Sequence, residues 1–240
     1  MGHESELGCI LLSERLRIDT SIYLYKQVPG LYFYSVGIVY LFNCVNGIQY
    51  YVLANKMDEV LTYLSDFSKV VRESLANATQ KMISLEHEID FLNSYLRLEK
   101  MRFPDKFDYD IRCIDMEEDG MVELPPMLVQ PCAENAIRHG FGTLTRKGHL
   151  SIVFEKGGEN LLKCTITDNG IGRDKARNNL GALPSDDRPH STGITGTRLR
   201  LFNSSGLPSK YKIVYTDLSE NGNPSGLMVE LYLPMILRRV

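Results

Sequence analysis

The chain has 240 residues, a formal net charge of -3 and 43% hydrophobic residues. That length fits one large domain, or a helical segment followed by a domain of about 150 residues, and the near-neutral balance without a long basic tract argues against a nucleic-acid partner. The five cysteines, Cys9, Cys44, Cys113, Cys132 and Cys164, are odd in number and form no CxxC pair, so they read as reduced core thiols and not as a zinc or redox site.

Residues 1–33 are the least legible part and read either as an irregular N-terminal arm or as a fragment of something larger. The span from Gln27 to Asn55 lacks Asp, Glu, Lys and Arg and is long enough to cross a membrane, but Pro29, Gly30, Gly37, Asn43, Asn46, Gly47 and Gln49 interrupt it. A buried or dimer-forming helix from near Tyr34 fits it better. From Asp58 the apolar residues Val60, Tyr63, Leu64, Phe67, Val70, Val71 and Leu75 recur at helical spacing, with Asp66, Lys69, Arg72 and Glu73 on a wetter face. Ser84 caps a second helix, with Glu86 and Glu88 in its first turn and Leu85, Ile89, Leu92, Leu96 and Phe103 as apolar positions. Two adjacent amphipathic helices predict an antiparallel hairpin over residues 34–103, and two copies of such a hairpin complete a four-helix bundle.

After Pro104 the period changes. Phe107, Tyr109, Ile111 and Cys113 alternate with polar residues, which predicts a strand and starts a second domain over 104–240. A helix follows around 126–139, then strands around 149–155 and 161–167, a helix around 194–204, and strands around 210–216 and 227–233, with turns at Gly157-Gly158 and Asn221-Gly222. The fold class expected is α+β: an N-terminal helical hairpin followed by a two-layer α/β sandwich, with helices on one face of a mixed sheet.

Two short blocks concentrate chemistry. In Glu134-Asn135-Ala136-Ile137-Arg138-His139-Gly140, helical spacing crowds polar groups together: the Asn135 amide can ligate Mg2+ beside phosphate oxygens, Glu134 can accept a proton, Arg138 can neutralise phosphate, and His139 can line a cleft or form an internal bond. In Asp168-Asn169-Gly170-Ile171-Gly172, a carboxylate at a strand end can receive an adenine amino group, and Gly170 and Gly172 let the backbone approach the base. Residues 173–192 read as a lid, after which Gly193-Ile194-Thr195-Gly196 is expected to open a helix with backbone donors suited to phosphate.

In their order, LFNCVNGIQ, YLSDFSKVVRESL, LEHEIDFLNSYLRLEKMRF, LPPMLVQPCAENAIRHG and DNGIG resemble the LytS-like class of bacterial two-component sensor histidine kinases, over roughly residues 40–234. The resemblance implies the histidine-kinase form of the ATP-binding fold shared with gyrase and MutL. It implies ATP and Mg2+ as cofactors, Asn135 as the magnesium contact, Glu134 as the base, Asp168 as the adenine acceptor, and Gly170, Gly172, Gly193 and Gly196 as backbone around ATP. It also implies a homodimer, transfer from histidine to an aspartate on a response regulator, and a cytoplasmic segment at the inner face of the membrane if joined to a longer membrane sensor. Two departures carry weight. Where relatives have a proline-histidine-phenylalanine run, this chain has Ile38-Val39-Tyr40, and a valine at the acceptor position has no nitrogen to attack phosphorus, which excludes the usual autophosphorylation there. Near the last strand Gly226 is retained, but Leu227 lacks the hydroxyl usual in the family. The expected function is the transmitter portion of a sensor histidine kinase that binds Mg-ATP; the alternative is a non-enzymatic, nucleotide-responsive dimerisation module.

Overall fold

The computed structural model describes residues 44–45, 47–49, 51–115, 122–158, 161–172, 212–220, 222–234 and 236–237. The expected arm, the lid over 173–192 and the helix around 194–204 lie outside these residues. The chain divides into two compact units, Met1–Leu64 and Ser65–Val240.

In the first unit the described residues between 44 and 53 are helical, and Asn55 ends that run at φ +55, a conformation that asparagine tolerates better than most residues. Tyr51 and Tyr63 meet with ring centroids 6.1 Å apart, and a Cβ on Gly47 would fall 2.7 Å from the Tyr63 hydroxyl.

Helix α1 runs Met57–Thr79, past the alanine-rich segment where its pattern fades. Val60, Tyr63 and Val70 are buried as expected, but the rest of its pattern shifts. Leu64 and Leu75 are exposed, whereas Asp66 is buried because Arg97 grips both its oxygens, Nε to Oδ2 at 2.5 Å and Nη2 to Oδ1 at 2.7 Å. A bidentate partner is what lets a carboxylate occupy a core position. Helix α2, Leu85–Arg102, begins as expected, with the Ser84 hydroxyl accepting the His87 N–H at 3.1 Å. Its buried side includes Leu85, Phe91, Leu92, Tyr95, Leu96 and Leu98, together with Glu88, which accepts the Met127 N–H at 3.4 Å.

The main sheet contains β2 (Phe107–Ile114), β4 (Gly148–Gly158), β5 (Leu161–Asp168), β6 (Lys212–Glu220) and β7 (Asn223–Pro234), in the order β2-β4-β5-β7-β6. Only β2 and β4 are parallel. A smaller antiparallel sheet, unforeseen in the sequence, joins β1 (Ile83–Ser84), β3 (Val122–Leu124) and β8 (Ile236–Leu237). Period-two burial is cleanest on β4 and β5: Leu150, Ile152, Phe154, Leu162, Cys164 and Ile166 face inward, continued on β7 by Val229, Leu231 and Leu233. The outward face carries Lys163 between Glu155 at 3.3 Å and Glu230 at 2.9 Å. β2 departs from its expected alternation. It is an edge strand whose far half runs out to the surface, so Phe107 alone of its four expected core residues is fully buried and Cys113 is exposed. Cys44, Cys132 and Cys164 are buried thiols, as expected.

The helix expected from 126 starts later. Pro125 and Pro126 cannot donate to a helical ladder, Met127 takes φ +60, and α3 covers Gln130–Asn135 before widening into a π turn over Ala136–Gly140. The result is an α+β fold with N-terminal helices and a mixed β-sheet core.

Candidate nucleotide-binding site

The two sequence blocks meet at the end of β5. The Ile171 N–H donates to the Gly140 carbonyl at 3.1 Å, which ties the π turn to the segment after Asp168. This contact needs glycine at 170, where a Cβ would sit 2.6 Å from Gly140 Cα and O, while a Cβ on Gly140 would crowd Asp168 Oδ1 at 3.1 Å. β7 closes the corner from the other side. Gly226, at φ +143, lies where a Cβ would fall 1.9 Å from the Asp168 carbonyl oxygen, and Gly172, at φ +73, approaches Pro224 and Gly226.

Asp168 occupies the inward register that begins with Leu162, Cys164 and Ile166, so the pleat alone drives its carboxylate into the protein. Its neighbours across the strands are Leu150 on β4 and Leu227 on β7, and it is 6% exposed. Oδ1 accepts the Gly170 N–H at 2.8 Å. Burial pushes the carboxyl up to about 6, against the opposing pull of backbone bonds from Gly170 and Leu227. Since each carboxylate oxygen has two lone pairs, capacity remains for a donor such as an exocyclic amine.

The helical block forms the other edge. Glu134 and Asn135 are half-buried, and Arg138 and His139 are exposed in the π turn. Arg138 Nη1 donates to Glu134 Oε1 at 2.7 Å, so the residues read as phosphate ligand and base bind each other. Gly193 and Gly196 lie outside the described residues. The sequence reading overlooked Asn169, whose Oδ1 accepts the His149 N–H at 2.7 Å and whose carbonyl accepts Arg146 Nη2 at 2.6 Å. Those bonds lock the DNG segment to the start of β4; the DNG triplet was the only available signal. The π turn was also overlooked, and nothing in AIRHG distinguishes it from an α-turn.

Among the described residues no group of three His, Cys, Asp or Glu could hold a metal. Asn135 is half-buried and supplies one neutral amide oxygen, a donor of the kind that can share a Mg2+ shell with phosphate oxygens and water. No helix among the described residues is long and apolar enough to cross a membrane.

The histidine-kinase family model matches residues 39–107. The chain is similar to the sensor protein LytS of Oceanobacillus iheyensis, 31% identical over 185 residues that make up 75% of this chain and 29% of that protein. It is also similar to LytS of Streptococcus mutans, 35% identical over 67% of this chain and 26% of that protein. It thus spans less than a third of the length of these curated relatives. Among solved structures, the histidine-kinase domain of the Erythrobacter litoralis EL346 blue-light-activated kinase aligns with a TM-score of 0.43 and 15% identity, covering 77% of this chain and 83% of that one. The chain is a histidine-kinase ATPase-like region and belongs to the LytS-like family of bacterial sensor histidine kinases.

Proposed function

We propose that this chain binds Mg-ATP as the transmitter region of a sensor histidine kinase, and that Val39 prevents the usual autophosphorylation at the family's acceptor position. The observation that carries the reading is the glycine-built junction of Gly140 with Gly170 and Ile171, which leaves a buried carboxylate, Asp168, at its rim. Asp168 accepts the adenine amino group. Gly140, Gly170 and Gly172 admit the base beside the backbone, Asn135 offers its amide oxygen to magnesium, and Arg138 meets the phosphates. His139 lines the same edge, and Gly193 and Gly196 add backbone donors. Glu134 is the group suited to take a proton from an attacking nucleophile. Magnesium, when bound, neutralises phosphate charge and orients the triphosphate.

On this reading the partners are a second copy of the chain, a response regulator, and the membrane-associated remainder of a longer sensor; the segment itself is cytoplasmic. Self-association is supported by α1, where Met57, Leu61 and Leu64 are exposed at a four-then-three spacing suited to a coiled-coil seam.

A second reading, a nucleotide-responsive dimerisation module without phosphoryl transfer, is favoured by Val39 together with that seam. A Mg-ATP titration paired with a labelled phosphate-transfer assay tests both. Saturable binding without protein labelling supports the module, acid-labile and alkali-stable labelling shows a histidine acceptor other than position 39, and absence of binding rejects the nucleotide site.

A further inference from the structure

The phosphate edge of the site, on the nucleotide reading above, is already engaged by the protein itself. Glu134 and Arg138 stand four residues apart, on either side of the point where α3 passes into the π turn, and the guanidinium closes on the carboxylate at 2.7 Å. The pair lies at the surface, with side chains 20% and 38% exposed respectively. Such a pair is weak in water and is exchanged at little cost. A triphosphate presents more negative charge than one carboxylate and several oxygens to a planar guanidinium, so it is the stronger partner for Arg138.

We propose that Glu134 holds Arg138 in reserve through this ion pair, and that a bound polyphosphate draws Arg138 away, releasing the Glu134 carboxylate. The pair would then be a ligand-operated latch: Arg138 reads the phosphates, and its departure unmasks the oxygen that can receive a proton. The opposite arrangement is also chemically simple, because arginine has five donors and could hold phosphate while keeping Glu134 as an anchor. The two arrangements predict opposite signs for one substitution. If Glu134 competes, removing its charge tightens polyphosphate binding; if it anchors, removing its charge loosens it.

The test is calorimetric titration of adenosine, Mg-ADP and Mg-ATP at constant ionic strength into the full chain, the Glu134→Gln and Arg138→Gln variants, and the double variant. Circular dichroism confirms folding, and Arg138→Lys retains the charge without the planar fork. The latch requires Glu134→Gln to tighten Mg-ATP by about two- to fivefold, the scale of an exposed ion pair, with a smaller gain for Mg-ADP and none for adenosine. The gain must vanish in the Arg138→Gln background. A gain that persists there would mean simple repulsion between Glu134 and phosphate and would overturn the latch. So would unchanged or weaker Mg-ATP binding by Glu134→Gln while adenosine still binds. Failure of adenosine and both nucleotides to bind the unaltered chain would instead remove the nucleotide reading itself, and the latch with it.

Discussion

Asp168 and Arg138 stand at two edges of one candidate site and are held by different means. Around Asp168 the contacts are backbone: Gly170 and Gly226 stand where no side chain fits, and the carboxylate is fixed by N–H groups and by its strand register. Around Arg138 they are side chain to side chain, partly in solvent, with a single ion pair to Glu134. The first edge is rigid and suits discrimination of a flat base. The second can exchange partners, as the proposed binding of phosphates there requires. Substitutions should therefore be structural in effect at the first edge and confined to ligand binding at the second.

Gly226→Ala should give the largest effect. Its Cβ would lie 1.9 Å from the Asp168 carbonyl oxygen at a φ that side chains rarely adopt, so backbone strain and overlap together should cost about 3 kcal/mol or more. Gly222→Ala supplies the contrast: it too has positive φ, +76, but nothing lies within 4 Å of its Cβ, and about 1 kcal/mol is expected. Denaturant midpoints for the two variants measure the difference. Similar midpoints would show that the β5–β7 approach is not as tight as described.

Asp168→Asn should separate stability from binding. Because the folded carboxyl is raised to about 6, the fold holds its proton more tightly than the unfolded chain does. The stability contributed by this group is thus complete below the ordinary carboxyl range and is lost as pH rises through about 6. At pH 7 the buried charge costs about 3 kcal/mol, which asparagine should recover, whereas at pH 4 the variant and the unaltered chain should differ little. Adenine affinity should move the other way. Losing the charged acceptor should weaken it by about tenfold, and acidifying the unaltered protein below 6 should do the same. Unfolding curves and ATP titrations at pH 4.5 and 7 check both signs; a variant less stable at pH 7 would show that the ionised carboxylate is a net support of the fold.

Much of this asymmetry can be read in the sequence, but unevenly. Strands β4 and β5 follow simple alternation, and extending the β5 pattern from Leu162 through Ile166 already lands Asp168 in the core register. The Ser84 cap is equally local. What could not be read depends on distant partners. Asp66 and Glu88 look like solvent-facing charges until Arg97 and the Met127 N–H are brought to them, and Cys113 looks like a core thiol until β2 is seen to be an edge. Three-stranded pairing of Ile83–Ser84, Val122–Leu124 and Ile236–Leu237 leaves no periodic trace in segments two or three residues long. At the site itself the residue types were legible, whereas the Glu134–Arg138 pairing and the lock on Asn169 were not: the chain spacing permits both without requiring either.

Leu227→Thr should produce the smallest effect and probes the rigid edge most finely. Leu227 opposes Asp168 in the β5–β7 register and gives its carboxylate a backbone bond, but its side chain offers that carboxylate only hydrocarbon. Threonine suits a strand and would set a hydroxyl beside the acid, able to donate to the charged form. Burial would then be partly compensated, and the pH at which Asp168 titrates should fall from about 6 toward the ordinary carboxyl range. Adenine affinity should rise by about two- to tenfold at pH 5, where the unaltered carboxyl is mostly protonated, and change little at pH 7. Nucleotide titrations across pH 5–7 read both changes together. A gain in affinity without any change in the pH profile would place the hydroxyl on the base instead of the carboxylate, and would assign specificity at this edge to β7 as well as β5.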